Sequence, residues 1–441
     1  MISTAHISVE NAPPIQEPFR FILTAPLFGA LFSLVFLFYG PELISNRWNP
    51  ELIGTLHLIN IGVLMMITTG VLFQTLPVIG GIQFPMQRVA SWLIYLALTA
   101  GGVLYFVGFL LLEPKLLMSA GVVLAAGIIP YLLLFAVGIF GIRRPPEIIY
   151  LIRYSLLFLL LLTGLGVTLL FGWGGAEFGV QRQWTDVHAV WGLGGWFTTL
   201  LMGTSFQMIP MFQVTPDFPQ WIRKWAVPLV ALSLLLWGGG VIFQLGQSWT
   251  TPLLVVAAVV MSIYAIITLT ILSRRKRKLF DATVYLWRLA MTSLAAGSLS
   301  LIFSLLFMDT ILGWLAILWI FGFLLPMISG TLMKIAPFLV FLHLQQRVIK
   351  APNLGGDGSS PLDNLANIPN IFQIVPTKWS KVLLIFFLFS MVAWGATALL
   401  PSLVYLVGAS LLLYFLWMTR IVFSCYRLYW IKLAEFGLEN T

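Results

Sequence analysis

The chain has 441 residues, of which 60% are hydrophobic and only 9% charged, at a mean hydropathy of +0.98. Soluble domains carry about 25% charged residues, so a water-soluble globular fold is excluded. The net charge of +9 lies mostly in short segments between apolar runs, the pattern of loops beside an anionic leaflet rather than of a nucleic-acid surface.

Apolar runs of membrane length, about 20 residues each, are predicted at 20–40, 53–80, 89–112, 117–141, 150–172 and 186–212, then at 226–246, 252–273, 286–308, 313–342, 379–400 and 403–430. The runs are continuous rather than alternating, which excludes a β-barrel. The expected fold class is therefore all-α, a polytopic membrane protein of about twelve transmembrane helices. Residues 1–19 form an N-terminal tail that holds Glu10 and Glu17 but no Lys or Arg, unlike a signal-peptide start. The first helix is expected to stay in place. The second helix has a clear beginning: Asn49 can cap it, Pro50 suits its first turn and Glu51 favours its positive dipole end. A single membrane domain, 20–432, is expected, followed by a short tail at 433–441. Its one long hydrophilic stretch, 347–378, contains Gly355–Gly356 and Gly358–Ser359–Ser360–Pro361 and reads as a flexible cytoplasmic connector.

Counting cations in alternate loops sets the expected orientation. One side collects Arg20, Arg88, Arg143, Arg144, Arg153, Arg223, Lys224, the basic run 274–278, Arg288, Arg347, Lys350, Lys378 and Lys381. Arg427 and Lys432 also fall on this side. The other side has only Arg47, Lys115 and Arg182. Both termini should then be cytoplasmic, in an inner (cytoplasmic) membrane.

One pattern recurs in the second, sixth and tenth runs: Gly70-x-x-x-Gln74-x-x-Pro77, Gly203-x-x-x-Gln207-x-x-Pro210 and Gly330-x-x-x-Lys334-x-x-Pro337. The separations, 203−70=133 and 330−203=127 residues, each span about four helices and predict three pseudo-equivalent four-helix units. Gly allows close helix approach, the polar residue faces the bundle interior, and Pro loosens the helix where it leaves the membrane. Lys334 stands where the other copies have Gln and is expected to snorkel to the cytoplasmic interface.

The chain has four histidines. His6 is expected to be solvated in the tail, and His343 interfacial beside Gln345, Gln346 and Arg347. His57 and His188 lie at similar depth near the outer ends of the second and sixth spans. Imidazole suits Fe, Cu or Zn, and an ionisable group within a membrane span marks a functional site by default. The alternative is local hydrogen bonding, His57 with Asn60 and His188 with Asp186 or interfacial water. Met65, Met66, Met202, Met208 and Met211 flank these helices. Helical rise places them too far along for one shared ion, and core packing accounts for them. Cys425 is the only cysteine, which excludes a disulfide framework, a CxxCH haem attachment and a thiolate cluster.

On these residues the sequence resembles the haem–copper oxidase subunit I superfamily, and within it short divergent proteins related to nitric-oxide-response haem–copper membrane proteins. The segments carrying the resemblance are His57 through Gln74-x-x-Pro77-x-x-Gly80-Gly81, and Asp186-x-His188 through Gly194-Gly195-Trp196 to Gln207-Met-Ile-Pro210. The resemblance implies twelve helices in three groups of four, haem b and copper as cofactors, and other respiratory membrane subunits as partners. It makes His57 a haem ligand and His188 a metal ligand. The departures are equally specific: the seventh and tenth spans, where that superfamily carries further ligands, contain no histidine within the membrane. The oxygen-reducing centre cannot be assembled on that plan, and a functional terminal oxidase is not expected. The expected function is a haem- or metal-binding membrane protein with a redox, gas-response or respiratory-maturation role. The alternative is a cofactor-free permease or assembly subunit on the same scaffold, with Gln74, Gln207 and Lys334 as polar lining.

Overall fold

Within lipid, each backbone N–H and C=O must be satisfied inside its own segment, so long apolar runs become helices. The computed structural model describes residues 9–438 apart from 144, 178, 181, 308–311 and 351–364, and among these it contains helices and no strand. His6 and the glycines at 355, 356 and 358 lie outside the described residues. Among the described residues, eleven helices are long and apolar enough to cross a membrane: α1 (Gln16–Ile44), α2 (Pro50–Gly80), α3 (Gln87–Leu111), α4 (Pro114–Phe140), α5 (Glu147–Trp173), α7 (Gln220–Ile242), α8 (Gln247–Ser273), α9 (Ala282–Phe307), α10 (Trp314–Lys350), α11 (Thr377–Ala396) and α12 (Pro401–Glu435).

The segment predicted as the sixth span is also helical throughout, as α6 over residues 182–213, but it is not among those eleven. Arg182, Asp186 and His188 begin it, and glycines, threonines and tryptophans follow in place of aliphatic residues. Between Trp191 and Thr198 all but Leu193 are buried, so this helix faces protein rather than lipid.

The outer helices close on themselves. α1 packs along α12, α4 along α5 and α8 along α9, while α3–α4, α7–α8 and α11–α12 are neighbouring pairs. Phe19 at the start of α1 lies 5.3 Å, ring to ring, from Tyr426 near the end of α12, so both termini share one face. The three motif helices lie inside. In α2 and α10, 72% of the most apolar window is buried, against 33–56% in the other nine. α10 touches both α2 and α6.

Each central helix widens into a π-helical stretch: Leu58–Met65 in α2, Trp191–Thr198 in α6 and Leu318–Leu324 in α10. Their starts are separated by 191−58=133 and 318−191=127 residues, the same intervals as the Gly–Gln/Lys–Pro motif. Inside each stretch a glycine, Gly62, Gly195 or Gly322, sits where a Cβ would overlap Phe28, Phe158 or Ser293 on α1, α5 or α9. The motif glycines repeat this on the same three helices. A Cβ on Gly70 would meet the Pro18 carbonyl at 2.8 Å, on Gly203 the Leu151 Cβ at 3.0 Å, and on Gly330 the Trp287 indole at 2.9 Å. Close approach of α1, α5 and α9 is thus what these glycines provide.

Two expectations change. α2 and α6 end within one turn of Pro77 and Pro210, but α10 continues past Pro337 to Lys350. The connector 347–378 is also not loose over its described part. Asn370 and Gln373 form a capping box on a short helix, Ile371–Ile374, and Ile368, Ile374 and Val375 are buried.

Candidate functional site

The N-terminal geometry of α2 fixes the depth of His57. The Asn49 side chain accepts from the Glu51 N–H at 2.9 Å with Pro50 in the first turn, and His57 follows immediately before the π-helical stretch. On α6, His188 lies three residues before the corresponding stretch. The two are not equivalent under the 133-residue interval, since 57+133=190 is Val190. They meet by lateral approach of the helices. Their ring centroids are 6.1 Å apart with an interplanar angle of 27°. Tyr105 of α3 stacks on His57 at 4.2 Å and 28°.

Each ring is held by a backbone carbonyl. His57 Nδ1–H donates to Ile53 O at 2.9 Å, which fixes the tautomer and leaves the Nε2 lone pair for another partner. The Leu162 carbonyl of α5 hydrogen-bonds the His188 ring, while His188 Nδ1 is buried with no hydrogen-bond partner. The ring approaches α5 at Gly166, where a Cβ would lie 2.8 Å from His188 Cε1. The local pairings expected from sequence do not form. Asn60 Oδ1 is itself buried without a partner, as is Thr185 Oγ1, and Asp186 pairs with Arg47 instead. Both imidazoles are half-buried, and every residue of α5 from Leu161 to Thr168 is half-buried except exposed Gly164. The guanidiniums of Arg47 and Arg182 lie over the Trp48 indole at 4.6 and 5.3 Å.

The donor set limits what the pair can hold. Among the described residues no group of three His, Cys, Asp or Glu could hold a metal ion. A bare copper or zinc ion needs three or four ligands, whereas haem brings four in-plane nitrogens and takes one or two axial protein ligands. The two rings supply only two protein donors, which falls short for a bare ion and is a number that haem iron takes. Met65, Met66, Met202 and Met208 are buried in the hydrophobic core, and Met211 is half-buried at its margin.

The motif residues occupy the opposite end of the central helices, on the face bearing the termini. Lys334 does not snorkel. Its side chain is 6% exposed and its Nζ lies 2.6 Å from Asp281 Oδ2. Gln213 Nε2 donates to the same carboxylate at 2.9 Å, and the Thr283 N–H at 3.1 Å. Burial alone raises the Asp281 pKa, but Lys334, Gln213 and Thr283 together hold it below the usual carboxylate range. A buried ammonium is tolerated because a carboxylate sits beside it. Phe372 of the short capped helix lies under both Lys334, at 4.8 Å, and Arg277, at 4.1 Å. Gln74 is 3% exposed with neither amide atom bonded, and Gln207 is half-buried. His343 is not interfacial. It is buried, with Nδ1 at 2.8 Å from Leu339 O and Nε2 at 2.8 Å from Pro13 O, and so ties the N-terminal segment to α10.

Tyr105, Gln213 and Asp281 were not singled out by the sequence patterns, nor were Gly62 and Gly322, and Gly195 entered only through the segment Gly194-Gly195-Trp196. The glycines carry a legible signal, since each stands eight residues before the motif glycine, Gly-x7-Gly. Asp281 carries none, because it lies between helices and 334−281=53 residues from its partner. The fold and site define a multi-pass helical membrane protein with a two-imidazole site at one end of its central helices. No protein-family model matches the chain, and no curated protein matches it.

Proposed function

We propose that the chain is a haem-binding membrane protein, in which His57 and His188 would hold one haem b near the external face of an inner membrane, with both termini cytoplasmic. Twelve membrane helices, α6 included, would form three pseudo-equivalent four-helix units around α2, α6 and α10. The recurrence of π-helical stretches and buried glycines at 133 and 127 residues supports that division. This arrangement agrees with the resemblance to haem–copper oxidase subunit I. The absence of further histidines from α7, and from α10 short of His343, argues against oxygen reduction and against a copper partner.

The observation that carries the reading is the 6.1 Å separation of two rings that are 188−57=131 residues apart in sequence, each with one nitrogen tied to backbone. When bound, haem would supply one-electron exchange or an iron centre for a small gas. The protein orients the two imidazoles and stacks Tyr105 on one of them. The role that follows is electron transfer or gas response beside other respiratory membrane subunits, within the lipid bilayer.

The test is a visible spectrum with iron and copper quantitation on protein purified from a haem-replete host. A Soret band with about one iron per chain, lost in both His57→Ala and His188→Ala, is the expected result. A colourless wild-type protein without iron would refute the proposal.

A further inference from the structure

The last two membrane helices carry cations on their lipid-facing sides. On α12, exposed Arg420 shares one side of the helix with Leu413, Leu416 and Phe423, at i−7, i−4 and i+3, and these three are 49%, 51% and 54% exposed. On α11, Lys378 and Lys381, both exposed, stand 385−378=7 and 385−381=4 residues before Ile385. They continue the stripe of Ile385, Phe389 and Val392, which are 61%, 52% and 70% exposed. Apolar stripes this open face acyl chains in a membrane helix. Arg420 lies 420−401=19 residues from the start of α12, about 28 Å by helical rise, against a hydrocarbon core of about 30 Å. Its guanidinium is therefore at headgroup level, in the leaflet on the side bearing the termini.

The setting of Arg420 is fixed by two indoles. Its guanidinium lies 4.8 Å from the Trp417 ring centroid and 5.4 Å from that of Trp379. The Trp417 Nε1–H donates to the Trp379 carbonyl at 2.9 Å, which joins the rings across the groove between α11 and α12. Indole faces attract a cation without accepting its N–H groups, so these contacts leave the guanidinium donors available. Lys381 is held similarly, with its Nζ 4.7 Å from the Phe280 ring centroid. The four ion pairs among the described residues use Arg47, Arg223, Lys334 and Lys432, and none involves Arg420, Lys378 or Lys381.

We infer that the groove between α11 and α12 binds one anionic phospholipid, with Arg420 donating to its phosphate oxygens and Lys378 and Lys381 adding positive charge beside them. A guanidinium matches two phosphate oxygens at once, which an ammonium does not, and anionic headgroups are what a leaflet offers to cations at this depth. The apolar stripes select a lipid over a free phosphate ion. Leu416 and Leu413 lead from Arg420 toward the membrane centre, and Ile385 and Phe389 lead the same way from Lys381, along the path that acyl chains take. This inference does not depend on haem at the central helices.

The test is native mass spectrometry of the full-length protein in detergent micelles, where no leaflet surface potential acts, with added phosphatidylglycerol or phosphatidylcholine. The wild type is expected to retain one phosphatidylglycerol in preference to phosphatidylcholine. Arg420→Ala should weaken phosphatidylglycerol binding by about fivefold or more, the effect of one cation at an anionic headgroup, and leave phosphatidylcholine unchanged. Arg420→Lys should fall between the two. Lys224→Ala removes an exposed cation that lies over a single indole, Trp225, at 5.1 Å, and should alter neither lipid. Equal losses in Lys224→Ala and Arg420→Ala would show diffuse charge in place of a site and overturn the inference. Equal uptake of both lipids by the wild type, or displacement of phosphatidylglycerol by millimolar sodium phosphate, would overturn it too. Should Arg420→Ala melt below the wild type, Lys378→Gln/Lys381→Gln, at two exposed positions, decides: a loss of about fivefold supports the site, and no loss overturns it.

Discussion

Two polar pairs bridge helices at opposite ends of the molecule, and they are built in opposite ways. Lys334 and Asp281 carry full charges, are 6% and 11% exposed at their side chains, and sit among donors that complete the carboxylate. His57 and His188 are half-buried, with Asn60, Thr185 and one imidazole nitrogen left without partners. The first pair is already matched, so its role is to hold α6, α9 and α10 together. The second has spare coordination capacity, which is what a ligand site requires. Burial of a polar residue is therefore a poor guide to function in this bundle, and unfilled valence is a better one.

The largest effect that sharpens this contrast is all-or-none. His188→Ala should abolish bound haem, whereas Asp281→Ala should retain the haem spectrum in whatever fraction stays folded. Loss of haem in both would break the separation between the two ends. Next in size, Asp281→Ala leaves the Lys334 ammonium buried and unpaired, at a cost of about 3–5 kcal/mol. Denaturant or thermal unfolding of the purified protein measures it, and the double variant Asp281→Ala/Lys334→Met should recover most of the loss. The same pair predicts a pH dependence. Asp281 has a lowered folded-state pKa, so its contribution is complete above the ordinary aspartate value of about 4 and is lost as pH falls below that value through the folded one. Asp281→Asn should remove this acid-side slope.

Glycine packing gives a smaller effect. Gly195→Ala drives a Cβ into the Phe158 ring and should destabilise by about 1–3 kcal/mol. Gly164→Ala, with nothing within 4 Å, should be neutral or gain up to about 1 kcal/mol. Smallest of all, Asp186→Asn breaks an ion pair whose side chains are 41% and 49% exposed, and should change stability by less than about 1 kcal/mol.

How much of this was legible depends on the range of the interaction. Apolar runs report helices because lipid acts on every residue of a span, and eleven spans stand out for that reason. α6 was read as an apolar run as well, at 186–212, although its protein-facing glycines and tryptophans dilute its hydropathy. The depth of His57 and His188 was readable from their distance to the helix ends, but their adjacency was not, because register along a helix says nothing about which neighbour a side chain meets. The snorkelling expected of Lys334 failed for the same reason: Asp281, outside any span, supplies a counter-charge that helix-level reasoning could not see. The π-helical stretches leave a trace only through Gly62, Gly195 and Gly322, where backbone proximity forbids a side chain.

Electron paramagnetic resonance of the oxidised protein is the most direct test of the claim that both imidazoles bind one iron. A low-spin ferric signal in the wild type, absent from His57→Ala and from His188→Ala alike, is the expected result. A signal that survives unchanged in either variant would show that the ring in question is not a ligand, and would contradict the two-imidazole site.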